Sequence, residues 1–297
     1  MRLIISSCHG KTRQGVIVNT DRDAEYEVVI VRYASRQTMR SQVYLNYHLY
    51  GEPDGPIGMD YYFWVIRNSH RTYVVDTGYS TLGGNNRNRG HLIHPGEALR
   101  KLGVDPDEAT LILTHAHYDH AGNVDLFPNS TVIVPKTEFD FWTGPYARRL
   151  QYRHSVEGSE INHLRTVYEQ GRMQFHAGQE LLAPGIEMIQ LGGHSPGQAI
   201  LTVKTSAGTV LLASDATHYY EELDRDMPFL VVADLEAMYA GFDEMKRLMA
   251  ERGAILVPGH DPEVLGRHEQ YDGELASFAA SIGRLPQPTA TTEKELV

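Results

Sequence analysis

Thr114-His115-Ala116-His117-Tyr118-Asp119-His120-Ala121-Gly122 follows directly on the apolar run Leu111-Ile112-Leu113. From His115 to His120 the chain carries three imidazoles and a carboxylate. A strand leading into the cluster delivers His115 and His117 to one side, because alternate residues of an extended chain share a face. Asp119 is then placed to cap a helix that carries His120 and runs on beyond it. Nitrogen and carboxylate donors without a thiolate suit zinc, iron, manganese or cobalt, and argue against a purely structural zinc knot. Four donors on two successive elements are enough to begin two metal sites.

Three further candidates lie downstream, each at the end of an apolar run and beside Gly or Pro. His194 stands in Gly192-Gly193-His194-Ser195-Pro196-Gly197, Asp215 ends Leu211-Leu212-Ala213-Ser214-Asp215, and His260 stands in Val257-Pro258-Gly259-His260-Asp261. Loops at strand ends are common mounts for catalytic groups, since the strand fixes the loop's origin. Glycine neighbours let backbone approach an ion closely.

The rest of the chain reads as short β-rich runs between Gly, Pro, Asn and Asp punctuation. They fall at Tyr26–Tyr33, Tyr61–Arg67, Thr72–Val75, Thr110–Leu113, Thr131–Val134, Ile186–Leu191, Ala199–Val203, Thr209–Ala213 and Ala254–Val257. Helices are expected over Pro95–Leu102, after His120, and from an Asp234 cap to Arg252, closed by Gly253. The Met-rich stripe of the last one is a core face. An internal echo links the halves: Tyr73-Val74-Val75-Asp76 leads through a helix to His115, and Val210-Leu211-Leu212 with Asp215 leads through a helix to His260. Two packed sheets with helices outside and a site between the halves account for it.

The order His-x-His-x-Asp-His, Gly-His-Ser-Pro-Gly, Ser-Asp, Gly-His-Asp resembles the metallo-β-lactamase superfamily of hydrolases, and within it the N-acyl-homoserine lactone lactonases. The resemblance implies an α/β fold, an αββα sandwich of two packed mixed β-sheets flanked by helices. It implies two divalent ions, zinc or else iron, manganese or cobalt. His115, His117 and His194 would hold one ion and Asp119, His120 and His260 the other, with Asp215 bridging. Asp76 would orient the ligand loop without touching metal. Two ions about 3.5 Å apart acidify a shared water near neutral pH. The bridging hydroxide so formed would open a lactone ring, with Asp119 accepting and returning the proton.

One position departs from the lactonase pattern. Where those enzymes carry a Tyr three residues after the bridging Asp, this chain has His218, followed by Tyr219 and Tyr220. Either His218 supports the substrate carbonyl, or a shift lets Tyr219 do so, or the substrate differs. Other ester, thioester (glyoxalase II-like) or cyclic amide hydrolysis are the alternatives. A non-enzymatic metal-binding scaffold would make no use of the full donor set. Arg148 and Arg149, in the candidate lid Phe141–Leu150, are available for a carboxylate or amide. The aromatic run from Tyr44 to Phe63 suits an apolar pocket or a homodimer contact.

Charge and composition narrow the partners. A net charge of −11 disfavours nucleic acid and anionic membrane, leaving a small molecule. Cys8 is the only cysteine, so no internal disulfide can form. The opening apolar run is too short for a signal segment and no stretch would span a bilayer, so a soluble cytoplasmic protein is expected. A single domain is expected over 25–283, with an N-terminal extension over 1–24 and a C-terminal tail over 284–297.

Overall fold

The computed structural model describes residues 24–285. Most of the expected extension over 1–24 and tail over 284–297 therefore lies outside the described residues. Thirteen strands are described: β1 (Glu27–Met39), β2 (Pro56–Arg67), β3 (Thr72–Val75), β4 (Thr110–Ile112), β5 (Val132–Pro135), β6 (Met173–His176), β7 (Gln179–Ala183), β8 (Ile186–Gln190), β9 (Ala199–Thr205), β10 (Gly208–Ser214), β11 (Ile255–Pro258), β12 (Glu269–Gln270) and β13 (Ala279–Ile282). The helices are α1 (Thr81–Asn85), α2 (Pro95–Lys101), α3 (Lys136–Thr143), α4 (Leu150–Arg153), α5 (Gly158–Glu169), α6 (Tyr220–Arg225) and α7 (Leu235–Arg252).

Two mixed sheets result, eight strands in the order β12-β13-β1-β2-β3-β4-β5-β6 and five in the order β11-β10-β9-β8-β7. β1 lacks polar alternation because both its faces are covered. Val28 and Ile30 pack with Trp64, Leu201 and Leu212 between the sheets. Val29 and Val31 face the other way, in a core with Phe63, Leu99 of α2 and Leu164 of α5. On the far side of the second sheet, Met238, Phe242, Met245 and Leu248 of α7 cover Ile200, Leu211 and Ala213. This is the αββα sandwich. Each such side chain, fully buried, contributes about 1.5–3 kcal/mol. Asp234 caps α7 by accepting the Ala237 N–H at 3.0 Å, and Gly253 ends it at φ 61°.

The internal echo is realised as two parallel strand pairs, β3 with β4 and β10 with β11. At the ends of β3 and β10 the chain turns through left-handed residues that are not glycine, Asp76 (φ 60°) and Ser214 (φ 47°). Such backbone costs on the order of 1–3 kcal/mol and persists only where surrounding contacts enforce it.

One expectation is corrected. No helix follows His120; the chain turns there and makes only a 3₁₀ turn at Val124–Leu126, so Asp119 caps nothing. Gly122 is the reason. Its N–H bonds the Gly78 carbonyl, and a Cβ there would sit 2.3 Å from the Ser80 nitrogen, so this segment lies pressed against the loop after β3. Asn123 locks it by donating to the carbonyls of Thr77 and Tyr79. Of the aromatic run, Tyr44, Tyr47, Tyr61, Tyr62 and Phe63 are buried inside the chain, and Tyr61 lines the smaller cavity described below.

Candidate metal centre

Four loops at one edge of the sandwich meet around Asp215. His115 and His117 follow β4, His194 follows β8, Asp215 follows β10, His218 precedes α6 and His260 follows β11. Asp215, 3% exposed, turns its two oxygens to different partners. Oδ1 lies 3.1 Å from His120 Nε2 and 3.1 Å from His260 Nε2. Oδ2 lies 3.3 Å from His194 Nε2, 3.7 Å from His115 Nε2 and 3.1 Å from His218 Nε2. His117 joins through Nδ1, 2.9 Å from His194 Nε2. Asp119 groups with His120 and His260, their donor atoms all within 4.8 Å of one another. His115, His117, His194 and Asp215 form a second group within the same span.

The outer ring nitrogens are held by the fold. His194 Nδ1 donates to the Val231 carbonyl at 2.8 Å and His260 Nδ1 to the Asp60 carbonyl at 2.7 Å. A carbonyl can only accept, so each Nδ1 carries the proton and each Nε2 turns a lone pair inward. Asp76 anchors the outer nitrogen of His120, whose Nδ1 lies 2.8 Å from its Oδ2. Asp76 also accepts the N–H and hydroxyl of Thr114, both at 2.8 Å, and so ties the start of the His115 loop to β3.

These donors fit divalent metal. His115 Nε2, His120 Nε2 and Asp215 Oδ1 are buried without a hydrogen-bond partner, a costly state that an ion would relieve. Burial holds the His115 and His117 imidazoles well below their usual range, and that of His194 down to about 3, so all three are neutral ligands at pH 7. Burial alone would raise Asp215, but the imidazoles of His120, His218 and His260 outweigh it and hold the carboxyl well below its usual range. Burial likewise opposes charge on His120, yet the carboxylates of Asp215 and Asp76 raise it well above an ordinary imidazole. His218 is raised to about 9 against burial by Asp215 and Glu222.

His218 and Tyr219 part company. The His218 ring is stacked on Phe229, centroids 3.6 Å apart, and lines a cavity of about 220 Å³ together with Asp119, Asp215 and His260. Tyr219 is directed elsewhere: it is buried, and its hydroxyl donates to the Gly58 carbonyl at 3.0 Å. A second cavity of about 390 Å³ shares His117 and His194 with the first and adds Trp142, Tyr152, Pro196 and Val232. Arg148 and Arg149 are exposed and line neither cavity; Arg148 borders a separate one with Arg153 and Arg165.

Sequence reasoning missed Glu138. Fully buried on α3, it accepts the Ala116 N–H at 2.9 Å and the Trp142 indole N–H at 2.5 Å on Oε1. Its Oε2 accepts the Ser195 hydroxyl at 2.9 Å and the Gly197 N–H at 2.7 Å. One carboxyl thus clamps the loop of His115 and His117 to the loop of His194. Arg36, Arg87 and Arg89, at the mouth of the smaller cavity, were also missed.

A family model described as the metallo-beta-lactamase superfamily matches residues 59–260. An N-acyl homoserine lactonase of Bacillus thuringiensis is 29% identical over 167 residues, 56% of this chain and 61% of that protein. The N-acyl homoserine lactonase AttM of Azorhizobium caulinodans is 26% identical over 179 residues, 56% of this chain and 63% of that protein. The chain thus spans less than two thirds of the length of these curated relatives. Among solved structures, a quorum-quenching N-acyl homoserine lactone lactonase superposes with a TM-score of 0.67 at 23% identity, covering 81% of this chain and 93% of that one. The dizinc quorum-quenching lactonase AidC, solved with a product, gives 0.65 at 18% identity over 89% and 96%. At these identities the structural likeness speaks for the fold.

The carboxylates of Asp215 and Asp76 favour the charged form of His120 in the metal-free protein, against its burial. Ligation needs the lone pair that the charged form lacks, so binding metal must expel the proton. Calorimetric zinc titrations at pH 7 in two buffers of different ionisation enthalpy should therefore report release of at least one proton per chain. Zero release would contradict ligation by His120.

Proposed function

The chain belongs to the metallo-β-lactamase superfamily, and on that premise we propose a metal-dependent hydrolase that opens the ring of an N-acyl-homoserine lactone or similar small lactone. One observation carries the reading: imidazoles from separate loops converge on both oxygens of a buried carboxylate, and three of the inward atoms make no hydrogen bond. His115, His117 and His194 would hold one ion, Asp119, His120 and His260 the other, with Asp215 between them. Bound there, a pair of divalent ions supplies Lewis acidity, which lowers the pKa of water and polarises a carbonyl.

The side chains do the rest. Asp119, lining the cavity, accepts a proton as water oxygen bonds the lactone carbonyl carbon. His218 donates its N–H to the carbonyl oxygen as negative charge grows there. The ring C–O bond then breaks and Asp119 returns the proton to the departing oxygen, leaving a hydroxy acid. Stacking on Phe229 fixes the His218 plane, so little reorganisation is needed. Trp142, Tyr152 and Pro196 in the adjoining cavity supply apolar wall for an acyl chain.

Zinc-loaded protein should hydrolyse members of a lactone panel and lose that activity with chelator; turnover of thioesters or phosphodiesters alone would exclude the lactone reading. His218→Ala should lower kcat by about ten- to a thousand-fold with metal content intact, whereas Tyr219→Phe should stay within a few-fold of the parent. An unchanged kcat in His218→Ala would remove that residue from the chemistry.

A further inference from the structure

Three arginines line the smaller cavity, and only one of them has an ion-pair partner. Arg87 pairs with Glu157 and donates to the carbonyls of Gly83 and His154. Arg36 and Arg89 form no ion pair among the described residues. Arg36, half-buried, has only the Met59 sulfur, 3.4 Å from its Nε, and sulfur is a weak acceptor. Arg89, also half-buried, lies over two rings, its Cζ 5.2 Å from the Tyr61 centroid and 5.3 Å from that of Tyr118. Its Nε is buried without any hydrogen-bond partner.

This is out of character for the chain. Acidic residues outnumber Lys and Arg by 38 to 27, and Arg32, Arg40, Arg67, Arg225, Arg247, Arg252 and Arg267 each find a carboxylate. Arg165 and Arg172, half-buried without an ion pair, donate to backbone carbonyls instead, and Arg148, Arg149 and Arg153 are exposed to solvent. A half-buried guanidinium with an unserved N–H pays a desolvation cost unless something supplies the acceptor. The only carboxylates lining the cavity, Asp119 and Asp215, are engaged in the histidine cluster. Among the described residues, no carboxylate lining the cavity is left over for Arg36 and Arg89.

We propose that Arg36 and Arg89 receive an oxyanion group of the substrate, a carboxylate or a phosphate, so that the substrate is a lactone carrying a negative charge away from its ring. The inference rests on the hydrolase reading above and narrows it. The tyrosine faces of Tyr61 and Tyr118 hold the Arg89 plane in place, and planar guanidinium matches an oxyanion with two parallel hydrogen bonds. The larger cavity, on the side of His117 and His194, is left for the apolar part of the same molecule. The two cavities adjoin along His117, His154 and His194, so the two ends of one molecule can occupy both at once.

The test compares matched lactones on the zinc-loaded enzyme: N-glutaryl-homoserine lactone, its monomethyl ester, and an analogue ending in a phosphate monoester. One charged member should exceed the neutral ester in kcat/KM by about ten- to a hundred-fold, and which one it is separates carboxylate from phosphate. In Arg36→Ala and Arg89→Ala that ratio should fall towards one, with Arg89→Lys retaining part of it. A ratio is insensitive to a general loss of folded or loaded enzyme. Equal turnover of charged and neutral lactones, or a preference that survives both substitutions, overturns the proposal while leaving lactone hydrolysis standing. If no lactone is turned over, the hydrolase reading fails instead, and calorimetric titration with glutarate and with inorganic phosphate still decides the arginines. Binding weakened in both variants supports the pair, and binding unchanged in both refutes it.

Discussion

A carboxylate removed from water must be compensated, and at Asp215 the compensation comes from imidazoles on its own loop and on three others. That requirement governs the rest of the architecture. His120 and Asp76 belong to the edge made by the first sheet, Asp215 and His260 to the edge made by the second, and the groups meet only if the two sheets are packed in register. The core between them, centred on Trp64, Leu201 and Leu212, therefore acts on the chemistry by setting the distance between halves. Asp76 and Ser214, in left-handed backbone at corresponding strand ends, touch across that seam, the Ser214 hydroxyl lying 3.3 Å from Asp76 Oδ2.

The same constraint explains why so many polar groups are buried away from Asp215 itself. Each inward nitrogen needs its outer nitrogen anchored, and the anchors are backbone carbonyls at Val231 and Asp60 and the carboxylate of Asp76. Glu138 accepts three donors from two ligand loops and a fourth from Trp142 on its own helix, while burial still pushes its carboxyl above the usual range. Such a group is stable only because every lone pair is used. The two unserved arginines at the cavity mouth stand out against this thorough pairing.

Much of this was legible in the chain because the donors cluster locally. His115 to His120 lie within one turn after an apolar strand, and His194, Asp215 and His260 each end an apolar run beside glycine. The long α7, with its cap and terminal glycine, was equally plain. What escaped notice lacked a local signal. β6 and β7 are short and half polar, and β13 is built of Ala, Ala, Ser and Ile, so none shows a strand pattern. The helix expected after His120 failed because Gly122 meets a loop distant in sequence. Glu138 reads as a solvated helix residue, and Arg36 and Arg89 as surface charge, until tertiary structure brings each to the centre. Tyr219 was a reasonable neighbour of His218 in sequence, but the start of α6 sends the two side chains apart.

The central claim is that the two oxygens of Asp215 face two different ions. Anomalous diffraction from crystals grown with zinc tests this directly. Two peaks are expected, one between Asp215 Oδ1 and the His120–His260 pair, the other on the Oδ2 side near His115 and His194. A single peak, or none within the cluster in zinc-saturated crystals, would contradict the account.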